Sequence, residues 1–229
     1  MSIFYTSDLH LGHGRIDMYC NRGFAAKAAE AGNPDLLVPM MNAGIAEAWN
    51  ALVTPEDTVW VLGDVAMGKL DEALPWVSKL NGTKHLVVGN HDRPFRHTRK
   101  ARNNPDRVTS ATERYLEAGF TTVQDQVLNH AVGTFLVDLN HFPYVGDSED
   151  VDRFPSARPH FHGRPLLCGH MHDLYQVEMY RGVPQINVGI DAWGGAPIPE
   201  SQVLELLAMT DAELAVFIDT YEPPAALGH

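Results

Sequence analysis

The sequence predicts a mixed α/β fold, two β-sheets flanked by helices, and three observations predict it. The first two-fifths of the chain alternate short apolar runs with stretches of helical spacing. From Thr121 the character changes to short β-like runs in close succession. Several apolar runs also end, mostly after a glycine, in Asp, His or Asn. Ligands gather at such strand ends in open α/β sheets.

Taken in order, "SIFYTS" is a short buried strand. "NPDLLVPMMNAGIAEAWNAL" follows with helical spacing, Asn33 as N-cap and Pro34 at the first helical position; Pro39 distorts its start. "DTVWVLGD" is a second buried strand, "LDEALPWVSKL" a second helix despite Pro75, and "KHLVVGN" a third strand. This β-α-β-α-β order predicts parallel strands with right-handed crossovers. A polar stretch from Pro94 to Asp106 leads to a short helix, with Ser110 and Glu113 spaced as a capping box. "TTVQDQVL", "GTFLVDLNH", "PLLCGH", "YQVEMY" and "QINVG" read as antiparallel strands. A helix near Glu200 to Met209 and a strand near Leu214 to Tyr221 complete the chain. The expectation is one domain over residues 1–229, with candidate lids or insertions at 93–108 and 143–164.

Composition excludes several classes. The 229 residues are 45% apolar and 20% charged, ordinary for a globular protein. A formal net charge of −12 argues against general affinity for nucleic acid or anionic membrane. The start, "MSIFYTSDLH", lacks the basic and apolar regions of a signal peptide, and no apolar run is long enough to span a bilayer. Cys20 and Cys168 make no disulfide framework or zinc knuckle and read as plain thiols. A cytoplasmic protein is expected. Twelve histidines is a high count, so their positions matter.

Those positions coincide with strand ends. The first strand runs into "SDLHLGH", with Asp8, His10 and His13; the second ends in "GDVAM", with Asp64. The third ends in "GNHD", with Asn90, His91 and Asp92; later ones end in "LNHFP", with His141, and "CGHMHD", with His170 and His172. Each fragment alone is compatible with a turn, a cap or surface histidines. Five strand ends finishing alike is not. Asp, His and Asn without thiolate suit Mn, Fe or Zn and argue against a cysteine-based structural zinc. About seven ligands exceed the needs of one ion and suit two that share a carboxylate.

The ordered set Asp-x-His, Gly-Asp, Gly-Asn-His-Asp, a lone His and Gly-His-x-His resembles the signature of the calcineurin-like metallophosphoesterase superfamily. "DLH" at 8–10, "GD" at 63–64, "GNHD" at 89–92, His141 and "GHMH" at 169–172 carry the likeness. "SDLHLGHGRI" and "NVGIDAWGGAPI" are similar to its small bacterial and phage-type members. The resemblance implies a four-layer αββα sandwich and a dinuclear centre of two divalent ions: manganese first, with iron, zinc, nickel or cobalt as alternatives. It implies Asp8, His10 and His172 on one ion, Asn90, His141 and His170 on the other, and Asp64 bridging. His91 would stabilise or protonate the leaving oxygen, with Asp92 orienting its ring, while a metal-bridging hydroxide attacks phosphorus. "GDVAMGK" departs from the Gly-Asp-x-x-Asp-Arg-Gly of the protein phosphatases, which turns the expectation away from that branch. The expected activity is hydrolysis of phosphodiesters of nucleotides or nucleic-acid ends. Phosphomonoester hydrolysis and a non-catalytic scaffold are the alternatives.

Substrate contacts are less defined. Six of the 17 Lys and Arg residues fall between Arg93 and Arg107, either a solvated face or a site for an anion larger than one phosphate. His13 and Arg93 are the candidate substrate-binding residues; Arg15 follows at lower rank. His160 and His162 read as surface residues in a Pro-rich loop. His85, His97, His130 and His229 have no supporting context. Trp193 is either a base-stacking platform or a buried anchor.

Overall fold

The computed structural model describes residues 1–224, and among them ten strands form two five-stranded mixed sheets. In chain order the strands are β1 (Ile3–Thr6), β2 (Thr58–Val61), β3 (Thr83–Val87), β4 (Phe120–Gln124), β5 (Val127–Val132), β6 (Phe135–Leu139), β7 (Leu166–Cys168), β8 (Val177–Tyr180), β9 (Val183–Asn187) and β10 (Ile198–Pro199). The first sheet has the order β10-β1-β2-β3-β4, with β1 to β4 parallel and β10 antiparallel. The second has the order β5-β6-β7-β9-β8; β6, β7 and β9 are parallel and the two outer pairs antiparallel. The antiparallel expectation for the second half thus holds only for the outer strands. "TTVQDQVL" is not one strand either: β4 closes the first sheet and β5 opens the second.

The helices are α1 (Ile16–Tyr19), α2 (Phe24–Glu30), α3 (Leu37–Leu52), α4 (Leu70–Ala73), α5 (Arg99–Arg102), α6 (Pro105–Glu117), α7 (Glu200–Ala208) and α8 (Asp211–Asp219). The Asn33 side chain accepts from the Asp35 N–H at 3.1 Å, capping a 3-10 turn, Pro34–Leu36, that feeds α3. Pro39 sits in the first turn of α3, where its missing N–H is harmless. Met41, Ile45 and Trp49, four residues apart, form the buried stripe of α3. The second expected helix ends early: α4 gives way to a 3-10 turn, Leu74–Lys79, with Pro75 at its start.

Two helical expectations are corrected. α6 begins at Pro105, and Asn104 caps it by accepting from the Arg107 N–H at 3.3 Å, so Ser110 and Glu113 lie in the helix interior. The strand expected near Leu214 is α8, held open at its start by a capping box between Thr210 and Glu213.

The core has two main layers. Tyr5, Leu62 and Val87 of the first sheet meet Val137, Leu139, Leu167 and Ile186 of the second, and Val203, Leu206 and Leu214 of α7 and α8 join them. The other face of the first sheet packs on α2, α3, α4 and α6 through Phe24, Met41, Trp49, Leu70 and Tyr115. This two-sheet sandwich with flanking helices has the expected architecture. Tyr144 and Phe161 of the 143–164 segment cover Leu166 and Cys168 on the outer face of the second sheet. No helix among the described residues is long and apolar enough to cross a membrane.

Candidate metal centre

The carboxyl ends of β1, β2 and β3 meet those of β6, β7 and β9 across the sandwich. Parallel bridges Ser7–Gly189 and Leu11–Ala66 knit the segments beyond the strands. The Asp8 and His10 N–H groups donate to the Gly63 and Asp64 carbonyls at 3.0 and 2.9 Å, and Gly169 N–H donates to the His141 carbonyl at 2.9 Å. Asp8, His10, Asp64, His170 and His172 all have positive φ, between 50° and 71°. Non-glycine residues rarely adopt that region, and it clusters at functional sites. The preceding glycines have a steric reason as well. A Cβ at Gly89 would collide with the Asp64 carboxylate, and one at Gly169 would lie 2.7 Å from Asp8 Oδ2.

Two three-residue groups result, Asp8, His10 and His172, and Asp64, His141 and His170, each with donor atoms within 4.8 Å of one another. His10 Nε2 lies 3.9 Å from Asp8 Oδ1 and 3.7 Å from Asp64 Oδ2, so it stands between the groups. His141 Nε2 is 3.5 Å from Asp64 Oδ2 and 3.0 Å from Asn90 Oδ1. The tautomers are set from behind. His141 Nδ1 faces the Leu62 carbonyl at 2.8 Å and His172 Nδ1 faces Asp191 Oδ2 at 3.0 Å. Both partners only accept, so each Nδ1 carries a proton and each Nε2 is turned toward the cleft.

The residues fit a pair of cations. Asp8 Oδ1, both His10 ring nitrogens and His170 Nε2 are buried with no hydrogen-bond partner. His170 Nε2 lies 3.1 Å from Asp147 Oδ1, but out of hydrogen-bond alignment. Buried polar atoms are normally satisfied, and these four orphans, converging from the Asp8–His10 segment and from His170, mark a place for an electron-poor guest. Burial, then repulsion from His172, holds His10 well below the ordinary imidazole value. Burial and His141 push His170 down to about 2. Both rings are therefore neutral and ligand-competent near pH 7. Burial also lowers His172, but the hydrogen bond that its Nδ1 donates to Asp191, with Cys20 alongside, outweighs this and raises it. Burial, with Asp8 adding, raises Asp64 despite the opposing His141.

The remaining expected site residues divide. The His91 N–H donates to Asp64 Oδ1 at 2.8 Å, and its Nε2 stands 4.0 Å from Asp64 Oδ2, with the ring about one-third exposed. His13 lines the same cleft, with its ring centroid 5.8 Å from that of His10. Arg93 does not line that cleft. It borders a neighbouring cavity that also includes His91. The structure corrects the task expected of Asp92. Its oxygens accept from the Asp64, Val65 and Gly89 N–H groups at 2.9 to 3.0 Å and from the Tyr115 hydroxyl at 3.1 Å, and not from the His91 ring. Asp92 therefore ties the β2 and β3 ends together, and burial plus Asp64 push it up to about 6.

Sequence reasoning missed the residues behind the ligands. Arg22 is fully buried. It donates to Asp191 at 2.7 and 2.9 Å, to the Leu9 carbonyl at 2.9 Å and to the Asp8 carbonyl at 2.7 Å. Asp191, inside "NVGIDAWGG", passes that anchorage to His172. Cys20 also lies beside His172 and Asp191, but His172 Nδ1 is already engaged there. Asp147, with Arg153 bound to it at 2.7 Å, and Ser148, Glu149 and Arg153 bring the 143–164 segment to the cleft. Trp193 is an anchor, donating from Nε1 to the Asn187 carbonyl at 2.6 Å, and His160 and His162 are exposed. His229 lies outside the described residues.

Known proteins with similar sequences carry this arrangement further. The family model described as calcineurin-like phosphoesterase matches residues 1–193. The Gene 66 protein of Mycobacterium phage L5 is 35% identical over 194 residues, covering 83% of this chain and 87% of the phage protein. The Gene 66 protein of Mycobacterium phage D29 is 35% identical over 210 residues, covering 90% and 96%. The fold is similar to the crystal structure of the Aquifex aeolicus protein of unknown function AQ665, with a TM-score of 0.57, 21% identity and coverage of 90% of this chain and 98% of that one. The matched segment contains every expected strand-end ligand, and on that ground the chain belongs to the calcineurin-like phosphoesterase family and is a phosphoester hydrolase.

Proposed function

We propose that this protein hydrolyses phosphodiesters of nucleotides or nucleic-acid ends, using two divalent cations held by its strand-end cluster and residues 1–229 as one catalytic domain. One observation carries the proposal: two ligand groups converge in one cleft with unsatisfied donors, and His10 stands within 4 Å of a carboxylate from each. Asp8, His10 and His172 would hold one cation; Asn90, His141 and His170 the other; Asp64 would touch both. Bound cations supply charge neutralisation and acidify a water. The chain supplies the rest. Neutral Asn90 ligates without adding a charge that repels the phosphate. His91, at the exposed rim, donates a proton from its ring to the departing oxygen. His13 orients a non-bridging oxygen.

Manganese is the first cation to test, because an O/N donor set without thiolate suits it. The manganese-loaded protein is expected to turn over bis(p-nitrophenyl) phosphate faster than p-nitrophenyl phosphate. His91→Ala should lose about 100-fold or more in kcat while calorimetry still finds manganese bound. Loss of metal from that variant would contradict the role given to His91. Turnover of the monoester alone would favour a phosphomonoesterase, and turnover of neither a scaffold.

A further inference from the structure

His91 stands on the ridge between two cavities. On one side lies the ligand cleft, about 270 Å³, bordered by His10, Asp64, His170 and His172. On the other lies a cavity of about 230 Å³ that shares only His91 with it and is bordered by Arg93, Lys100 and Arg107. Its floor is apolar, from buried Phe95 and Val108. Asp92 is its one carboxylate, and both Asp92 oxygens are already taken by backbone N–H groups and Tyr115. Of the cations nearby, Arg96 lies 3.6 Å from Asp125 and Arg114 2.5 Å from Asp71, whereas Arg99 and Arg102, beside Lys100 on α5, make no such pair among the described residues. Arg93, Lys100 and Arg107 have no carboxylate within 4 Å among the described residues; Arg93 has only a 3.4 Å contact to the Gly68 carbonyl. In a chain of net charge −12, three cations without a carboxylate partner around one apolar-floored cavity make a local positive field that suits an anion. A further groove of about 480 Å³ shares Arg93 and Arg107 and continues along α6 past Ser110 and Arg114. Arg107, Ser110 and Arg114 lie on one helix face.

The position of this cavity specifies what enters it. In-line displacement puts the leaving oxygen opposite the attacking water. The attack comes from the ligand cluster, so the leaving group departs past His91, toward the basic cavity. We infer that this cavity receives the leaving group, and that the leaving group itself carries phosphate. The inference rests on the hydrolytic reading above and narrows its substrate class. In the step, the water oxygen forms the new P–O bond and the bond to the departing oxygen breaks. That oxygen takes the proton from His91 and leaves as an alcohol whose own phosphate sits among Arg93, Lys100 and Arg107.

The test compares kcat/KM for the dinucleotide TpT with pTpT and TpTp, which carry one extra phosphate on either side of the scissile bond. The form with that phosphate on the leaving nucleoside should be cut about tenfold faster or more. The gain should shrink with rising salt. Replacing Lys100→Ala together with Arg107→Ala should bring the ratio near one. Equal rates for all three dinucleotides, or a gain that survives the double replacement, would overturn the inference. Thymidine 3′,5′-bisphosphate titrated into metal-free protein decides the matter independently of turnover. It should bind the unsubstituted protein about tenfold tighter than the double variant, and equal binding would count against the cavity. Failure to cleave bis(p-nitrophenyl) phosphate would sink the hydrolytic reading without touching that titration.

Discussion

Arg22 touches none of the expected ligand atoms, yet it holds two segments that present them. Its guanidinium fixes the Asp8 and Leu9 carbonyls and, through Asp191, the His172 ring. Partners behind a ligand typically tune metal affinity by 10–100-fold. Asp191→Asn keeps the shape but removes the charge, so manganese affinity measured by calorimetry is expected to fall about 10-fold or more. An unchanged affinity would reduce Asp191 to a structural contact. The ligands themselves were legible because each closes an apolar run, a purely local pattern. Arg22 was not, because an arginine in "CNRGF" looks like any solvated one. Its meaning comes from Asp191, 169 residues away. Asp92 misled for the opposite reason. Adjacency to His91 in sequence suggested contact, but the chain turns there, and the carboxylate points back under Asp64.

At the scale of elements, local signals worked where they were unique and failed where two competed. Asn33-Pro34 and Asn104-Pro105 are the same start signal, and the second starts α6 six residues before the position that a Ser110 cap implies. The run "LAVFI" has strand-like composition, yet Leu214 is the only buried residue of α8, and the Thr210–Glu213 box decides for helix. The Thr210 hydroxyl accepts from the Glu213 N–H at 3.3 Å, and Glu213 Oε2 accepts from the Thr210 N–H and hydroxyl at 2.8 Å. Thr210→Ala should cost about 1 kcal/mol, lowering Tm by about 2–4 °C for a chain this size. Those same bonds hold the Glu213 carboxyl below its ordinary value. A depressed carboxylate contributes stability above its unfolded pKa of about 4.3 and loses it as pH falls through the folded value. The Tm gap between the two proteins should therefore narrow on acidification from pH 7 to below 4. A constant gap would mean that Glu213 is not part of the cap's strength.

For the whole molecule, the centre is where two sheets that share few backbone bonds are joined. Asp8, His10, Asp64 and Asn90 come from the first sheet and His141, His170 and His172 from the second. Without cations, Asp8 Oδ1, both His10 ring nitrogens and His170 Nε2 are buried with no hydrogen-bond partner, and Asp64 Oδ2 lies 3.7 Å from His10 Nε2. Such an arrangement costs stability and is kept for function. Cations that bind only the folded chain reverse the cost: at 100 times Kd, one site adds about 2.7 kcal/mol, roughly 5–11 °C in Tm. Asp64 Oδ2 lies 3.7 Å from His10 Nε2 and 3.5 Å from His141 Nε2, so a substitution there separates these effects. Asp64→Asn removes a buried charge while keeping its volume. The metal-free variant should melt no lower than the unsubstituted protein, and saturating manganese should raise its Tm by less than half as much. If the variant keeps the full manganese-dependent rise, Asp64 does not join the two ligand groups, and the sheets are not tied together through this centre.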